Sequence, residues 1–199
     1  MSYSDFTLKD IKNRFGITVE ENTSLFVKIK SCLPPDWLVQ LLDNWVPLAH
    51  AIGTEKARSE FIIAPILAGV KELLNGKISL FSGISFNVDQ AQGLNGICDF
   101  ILSQSPEQLD LSVPIVTIVE AKNENIGAGI PQCMAEMIAA SLFNEREGNP
   151  IWPLYGCVTT GSQWKFLQYE PEKQIAVDRD DYFIRQLDKI LGIFLNFLQ

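Results

Sequence analysis

The sequence predicts an α/β protein built on a mixed β-sheet flanked by helices. Three observations lead there. The helical and strand-like stretches follow one another as helix, three strands, helix, strands, helix, which is not a regular βαβ alternation. Residues 77–89 alternate at strand period through Ile78, Leu80, Ile84, Phe86 and Val88. The stretch Val113 to Ala121 is a nearly continuous apolar run, as a central strand buried on both faces requires.

The elements can be assigned in order. Ser4 caps a short helix to Phe15, with Phe6, Leu8, Ile11 and Phe15 as its apolar positions and Gly16 ending it. Ile17 to Val27 reads as extended. Pro34-Pro35-Asp36 opens a second helix carrying Trp37, Leu38, Leu41, Leu42 and Trp45 at helical spacing. Residues 1–53 thus form an accessory segment ahead of the core. Thr54 caps a longer helix to Leu74, closed by Asn75-Gly76, and Pro65 within it predicts a kink or a late true start. Glu60 lies beside the apolar face of that helix. The first strand follows over 77–89, with a bulge or bend at Gly83. Leu94 to Ser103 and Val113 to Ala121 are the next two strands. Gly127 and Gly129 precede a helix from Pro131 to Glu145, with proline near its first turn. Trp152 to Thr160 and Trp164 to Tyr169 pair as strands, and Ile175 to Val177 adds a short one. A last helix runs from Tyr182 to Phe197, and its stripe of Ile184, Leu187, Leu191, Phe194 and Leu195 reads as core or as a dimer seam. The whole is one domain, residues 1–199, with a core over 54–169 and a C-terminal strand and helix over 170–199.

Composition narrows the function. A chain of 199 residues, 47% hydrophobic and 20% charged, buries one ordinary core. No apolar run in the sequence approaches the roughly 20 residues that span a bilayer, and Met1 to Phe6 lacks the basic start of a signal peptide. Cys32, Cys98, Cys133 and Cys157 stand far apart, and the only histidine, His50, is near none of them in sequence. That spacing argues against zinc and for a reduced, cytoplasmic chain. The net charge of −8 opposes tight non-specific DNA binding, so a basic footprint must be local, for instance Lys56, Arg58, Lys71 and Lys77.

The chemistry-bearing stretch is Leu94 to Ala140. Asp99 interrupts the apolar run Ile97-Cys98-Asp99-Phe100-Ile101, and a lone buried carboxylate is costly unless paired or metal-bound. Glu120 and Lys122 share parity at the end of the next strand and face one side. Two carboxylates and a carbonyl suit Mg²⁺, with Mn²⁺ as an alternative, and a lysine beside them can orient water or offset developing charge. The bland reading of each residue alone is a Glu120–Lys122 pair and a satisfied Asp99. Other sites fare worse. Ser162 and Ser141 have no histidine except the distant His50, which argues against a triad. Gly127-Ala128-Gly129 lacks the full dinucleotide fingerprint, and tryptophans 37, 45, 152 and 164 read as core.

Together, Asp99 followed by Glu120-Ala121-Lys122 at a strand end resembles the PD-(D/E)xK nuclease superfamily, with its restriction-endonuclease-like fold of αβββαβ order. Glu60 in the preceding helix and Gln132 in the following one fit many of its branches. The segment Thr160-Gly161-Ser162-Gln163-Trp164 looks like a hairpin of type I restriction subunits. Cys98 departs from the proline of the family's name. The resemblance covers Thr54 to Tyr169. It implies Asp99, Glu120 and the Ala121 carbonyl as metal ligands, and Lys122 positioning or activating the water. It further implies that Glu60 assists through water or a second ion and that Gln132 orients Lys122 or the nucleophile. The expected function is Mg²⁺-dependent hydrolysis of phosphodiesters, of DNA above all, by a domain acting alone, as a homodimer or with a partner protein. The alternative is a nuclease-fold protein that no longer cuts and serves as an interaction or regulatory subunit.

Overall fold

The computed structural model describes residues 1–199. Its centre is an eight-stranded mixed sheet in the order β1-β7-β6-β5-β4-β3-β2, with β8 paired to β6. The strands are β1 (Thr18–Glu20), β2 (Ser79–Ser85), β3 (Ile97–Ser103), β4 (Ile115–Ala121), β5 (Leu154–Thr159), β6 (Gln163–Glu170), β7 (Gln174–Val177) and β8 (Tyr182–Phe183). β4 runs parallel to β5 and antiparallel to β3. The β4–β5 connection is therefore a crossover, supplied by helix α5 (Ile126–Arg146).

Two cores lie on the two faces of this sheet. One holds Phe100, Val119 and Phe166 against helices α2 (Asp36–Ile52), α4 (Ala64–Leu73) and α6 (Leu187–Leu198). The other holds Cys98, Ile118 and Val158 against α5 and α1 (Leu8–Phe15). β4 is buried along its whole length, as its apolar run requires. Asn144 pins the far end of α5 to that strand, accepting from the Ile115 amide at 2.8 Å and donating to the Ile115 carbonyl at 2.8 Å. The stripe of α6 is core, with Ile190, Leu191, Ile193 and Phe194 fully buried.

Several boundaries differ from expectation, each for a local reason. Only Thr18–Glu20 of the stretch after Gly16 pairs as a strand; Phe26 instead turns into the core. The helix after Thr54 is a short α3 (Glu55–Arg58), a π-helical turn over Ser59–Ile63, and then α4. Pro65 falls in the first turn of α4, where its missing N–H is absorbed by the change of helical register. α5 begins at Ile126 rather than Pro131, because Asn125 caps it by accepting from the Ala128 amide at 3.2 Å. The extra turn makes α5 long and apolar enough, by length and composition, to cross a bilayer; here more than half of that window is buried within the fold. The last helix starts at Leu187, since Tyr182 and Phe183 are used to pair with Trp164 and Gln163.

Candidate metal and phosphodiester site

The register of β3 and β4 builds the site. Phe100 pairs with Val119, so the next step of the ladder sets Asp99 opposite Glu120. Phe100 and Val119 point into the α2/α4/α6 core, which turns Asp99 and Glu120 toward α5. The Ala121 amide donates to Asp99 Oδ2 at 2.8 Å, and the two carboxyls face each other closely enough for the Asp99 charge to act on Glu120. In an extended strand the N–H and C=O of one residue point the same way, so the Ala121 carbonyl also faces Asp99. Lys122 Nζ donates to Glu120 Oε1 at 2.5 Å and to Gln132 Oε1 at 3.1 Å. Gln132 Nε2 in turn donates to Glu136 Oε1 at 3.1 Å. The result is a hydrogen-bonded chain from Glu120 through Lys122 and Gln132 to Glu136, with Asp99 set opposite Glu120 at its start.

Gly129 makes this chain possible. A Cβ there would lie 2.6 Å from Val158 Cγ1 and 3.0 Å from Lys122 Cγ, so only glycine lets the lysine stem pass beneath the first turns of α5. The same close approach explains why a residue weak in helix propensity stands inside this helix.

Charge inside the chain is set mainly by burial. Desolvation first, and the Asp99 charge second, push the Glu120 carboxyl up to about 8 against the pull of Lys122. Asp99 is also raised by burial, opposed by the Ala121 amide, Lys122, Glu120 and the more distant Lys56. Burial works to lower Lys122, but the Glu120 charge and hydrogen bond outweigh it and hold the ammonium above its ordinary range. Glu136, wholly buried, is raised well above the carboxylate range by desolvation and then by Glu120.

The donors present fit a hard divalent cation. Glu120 Oε2 is buried with no hydrogen-bond partner, Asp99 is only partly buried, and the third donor is a carbonyl oxygen. Mg²⁺ is commonly held by one or two carboxylates, its shell being completed by water and substrate phosphate. A denser cage is absent: no group of three or more His, Cys, Asp or Glu side chains is arranged to hold a metal. Asp99 lies near the start of β3, and Glu120 and Lys122 lie at the close of β4, so the group sits at strand ends.

Asp99, Glu120, Ala121, Lys122 and Gln132 share one locus. Glu60 is exposed and hydrogen-bonds none of them; it pairs at 3.0 Å with Lys56, the lysine whose charge reaches Asp99. The charge felt at Glu120 and Lys122 from that region is that of Glu55, in the first turn of α3. Glu136 went unnoticed at the sequence level; its signal is the four-residue spacing from Gln132, which places both on one helix face. His50 is not distant from Ser162, since its Nε2 lies 2.8 Å from Ser162 Oγ and ties the end of α2 to the β5–β6 turn. No carboxylate is hydrogen-bonded to its other ring nitrogen, so the pair lacks the orienting member of a triad.

No protein-family model matches the chain, and no curated protein does so at a significant level.

Proposed function

We propose that the chain is a metal-dependent nuclease of the restriction-endonuclease-like class, hydrolysing phosphodiester bonds of nucleic acid, DNA above all. The observation that carries the reading is the convergence of Asp99 and Glu120 beside Lys122, with Glu120 Oε2 buried and unpartnered. Burying an unsatisfied carboxylate oxygen costs about 1–3 kcal/mol or more, a cost that packing does not return and a ligand role does. Asp99, Glu120 and the Ala121 carbonyl would hold Mg²⁺ or Mn²⁺. The chemistry such an ion supplies when bound is polarisation of a phosphoryl oxygen and acidification of the attacking water.

The chain's own residues do the rest. Asp99 is held in place by the Ala121 amide. Lys122 carries three N–H donors; two are engaged by Glu120 and Gln132, and the third remains to orient a water or meet the charge that grows on the phosphoryl oxygens. Lys56 and Arg58, on α3, supply local positive charge for a polyanion that the acidic chain otherwise repels.

Titration of Mg²⁺ and Mn²⁺ into the wild type and Glu120→Ala, with plasmid and single-stranded DNA cleavage followed on the same samples, tests this. Binding and cleavage that are both lost in the variant support the reading. Absence of metal binding and of cleavage by the wild type refutes it and leaves a nuclease-fold interaction subunit.

A further inference from the structure

We infer that Glu136 is a positioning residue: it fixes the Gln132 side-chain amide so that its oxygen, not its NH₂, meets Lys122. As a role in cleavage this rests on the nuclease reading above, whereas the hydrogen-bond geometry stands without it.

A glutamine amide has two chemically opposite ends, an acceptor and a double donor, on one freely turning group. Lys122 can only donate. The chain is productive in one amide orientation alone, with Gln132 Oε1 toward Nζ and Nε2 turned away. Glu136 Oε1 is the acceptor that receives Nε2, at 3.1 Å. A flipped amide would set NH₂ against the Lys122 ammonium at one end and would take Nε2 away from Glu136 Oε1 at the other. With the amide locked, Lys122 is held by Glu120 and Gln132 together, and its remaining N–H is aimed rather than free to sweep.

Packing alone does not account for a glutamate here. Position 136 lies on the sheet-facing side of α5 among Cys133, Met137 and Ala140, all fully buried or nearly so. Glu136 is itself wholly buried, and its Oε2 has no partner. An apolar side chain of the same length would bury without that penalty. Its one hydrogen-bonded neighbour is Gln132, and Gln132's other neighbour is Lys122.

Two variants separate positioning from structure. Glu136→Met fills the volume without an acceptor, and Glu136→Gln restores a carbonyl that can receive Gln132 Nε2. The first readout needs no catalysis: hydrogen exchange of the Gln132 side-chain NH₂, followed by ¹H–¹⁵N NMR on the full chain. Slow exchange in the wild type and Glu136→Gln is expected, with exchange at least about tenfold faster in Glu136→Met. The second is DNA cleavage with Mg²⁺. In Glu136→Met, kcat is expected to fall about tenfold with KM within twofold, and Glu136→Gln to stay within about threefold of wild type. Adding Gln132→Met to Glu136→Met should cost little more, since the two act as one unit. An amide that stays protected in Glu136→Met overturns the inference, as does unchanged kcat there or an equal loss in Glu136→Gln. If the wild type cuts nothing, the nuclease reading falls, and amide exchange alone decides whether Glu136 orients Gln132.

Discussion

Replacing Glu120 by glutamine should make the metal-free protein more stable, not less. The carboxyl is 2% exposed and is pushed up to about 8 from an ordinary value of 4.5. Between those two pH values the folded chain keeps a proton that the unfolded chain has released. Stability therefore declines as pH rises through the window, by up to about 1.4 kcal/mol per unit. At pH 7 the accumulated penalty is about 3 kcal/mol, and an uncharged isostere removes it. The assay is urea denaturation of wild type and Glu120→Gln in EDTA from pH 5 to 8. The curves should lie within about 1 kcal/mol at pH 5 and separate as pH rises, with the variant above. Magnesium should reverse the order at pH 8, because the ion needs the ionised carboxylate and stabilises only the wild type. A variant that is less stable than wild type at pH 7 without metal would refute the reasoning. It would mean that the 2.5 Å contact with Lys122 outweighs desolvation and keeps Glu120 ionised.

Other perturbations probe the supports of the site. Gly129→Ala forces a Cβ to within 2.6 Å of Val158 and 3.0 Å of Lys122; it should cost about 1–3 kcal/mol and abolish most cleavage, read from thermal melts and plasmid nicking. Asn144→Ala orphans both the amide and the carbonyl of buried Ile115 and should cost about 2–4 kcal/mol by chemical denaturation, without changing metal affinity in the folded protein. Glu60→Ala removes an exposed pair with Lys56; a stability change under about 0.5 kcal/mol is expected, with cleavage within about threefold of wild type. A tenfold loss of cleavage there would instead give Glu60 a role beyond its exposed pair with Lys56.

What could be read in the sequence follows from how far each signal reaches along the chain. β4 declares itself because nine neighbouring residues, 113–121, carry one message, and Glu120 stands out at the end of that run. Asp99 stands out the same way in β3. Their convergence needed only that consecutive strands pair, the commonest arrangement. The start of α5 was hidden because proline and two glycines argue locally against helix, while the reason for Gly129 is the Lys122 stem and Val158, supplied by two other strands. Glu136 was hidden because a glutamate in an otherwise apolar helix reads as the solvent side; only burial, together with the Gln132 bond, gives it meaning. His50 and Ser162 meet across 112 residues, beyond any periodicity.

The acidity of the chain weighs less against a nucleic-acid substrate than its net charge of −8 implies. That count takes every carboxyl as ionised, yet burial pushes Glu120 up to about 8, so near neutral pH it is largely uncharged, and burial pushes Glu136 in the same direction. Lys122 stays cationic beside them, and Lys56 is near enough for its charge to reach Asp99. Counterion release depends on the phosphates neutralised at the contact rather than on the charge of the whole molecule. Fields from carboxylates more than about 8–10 Å away are screened at physiological salt. A divalent cation at Asp99 and Glu120 would displace the Glu120 proton and leave a net gain of about one positive charge where the proposed substrate phosphate would lie. The same desolvation that makes the site costly to fold thus keeps it from repelling the polyanion it is proposed to cut.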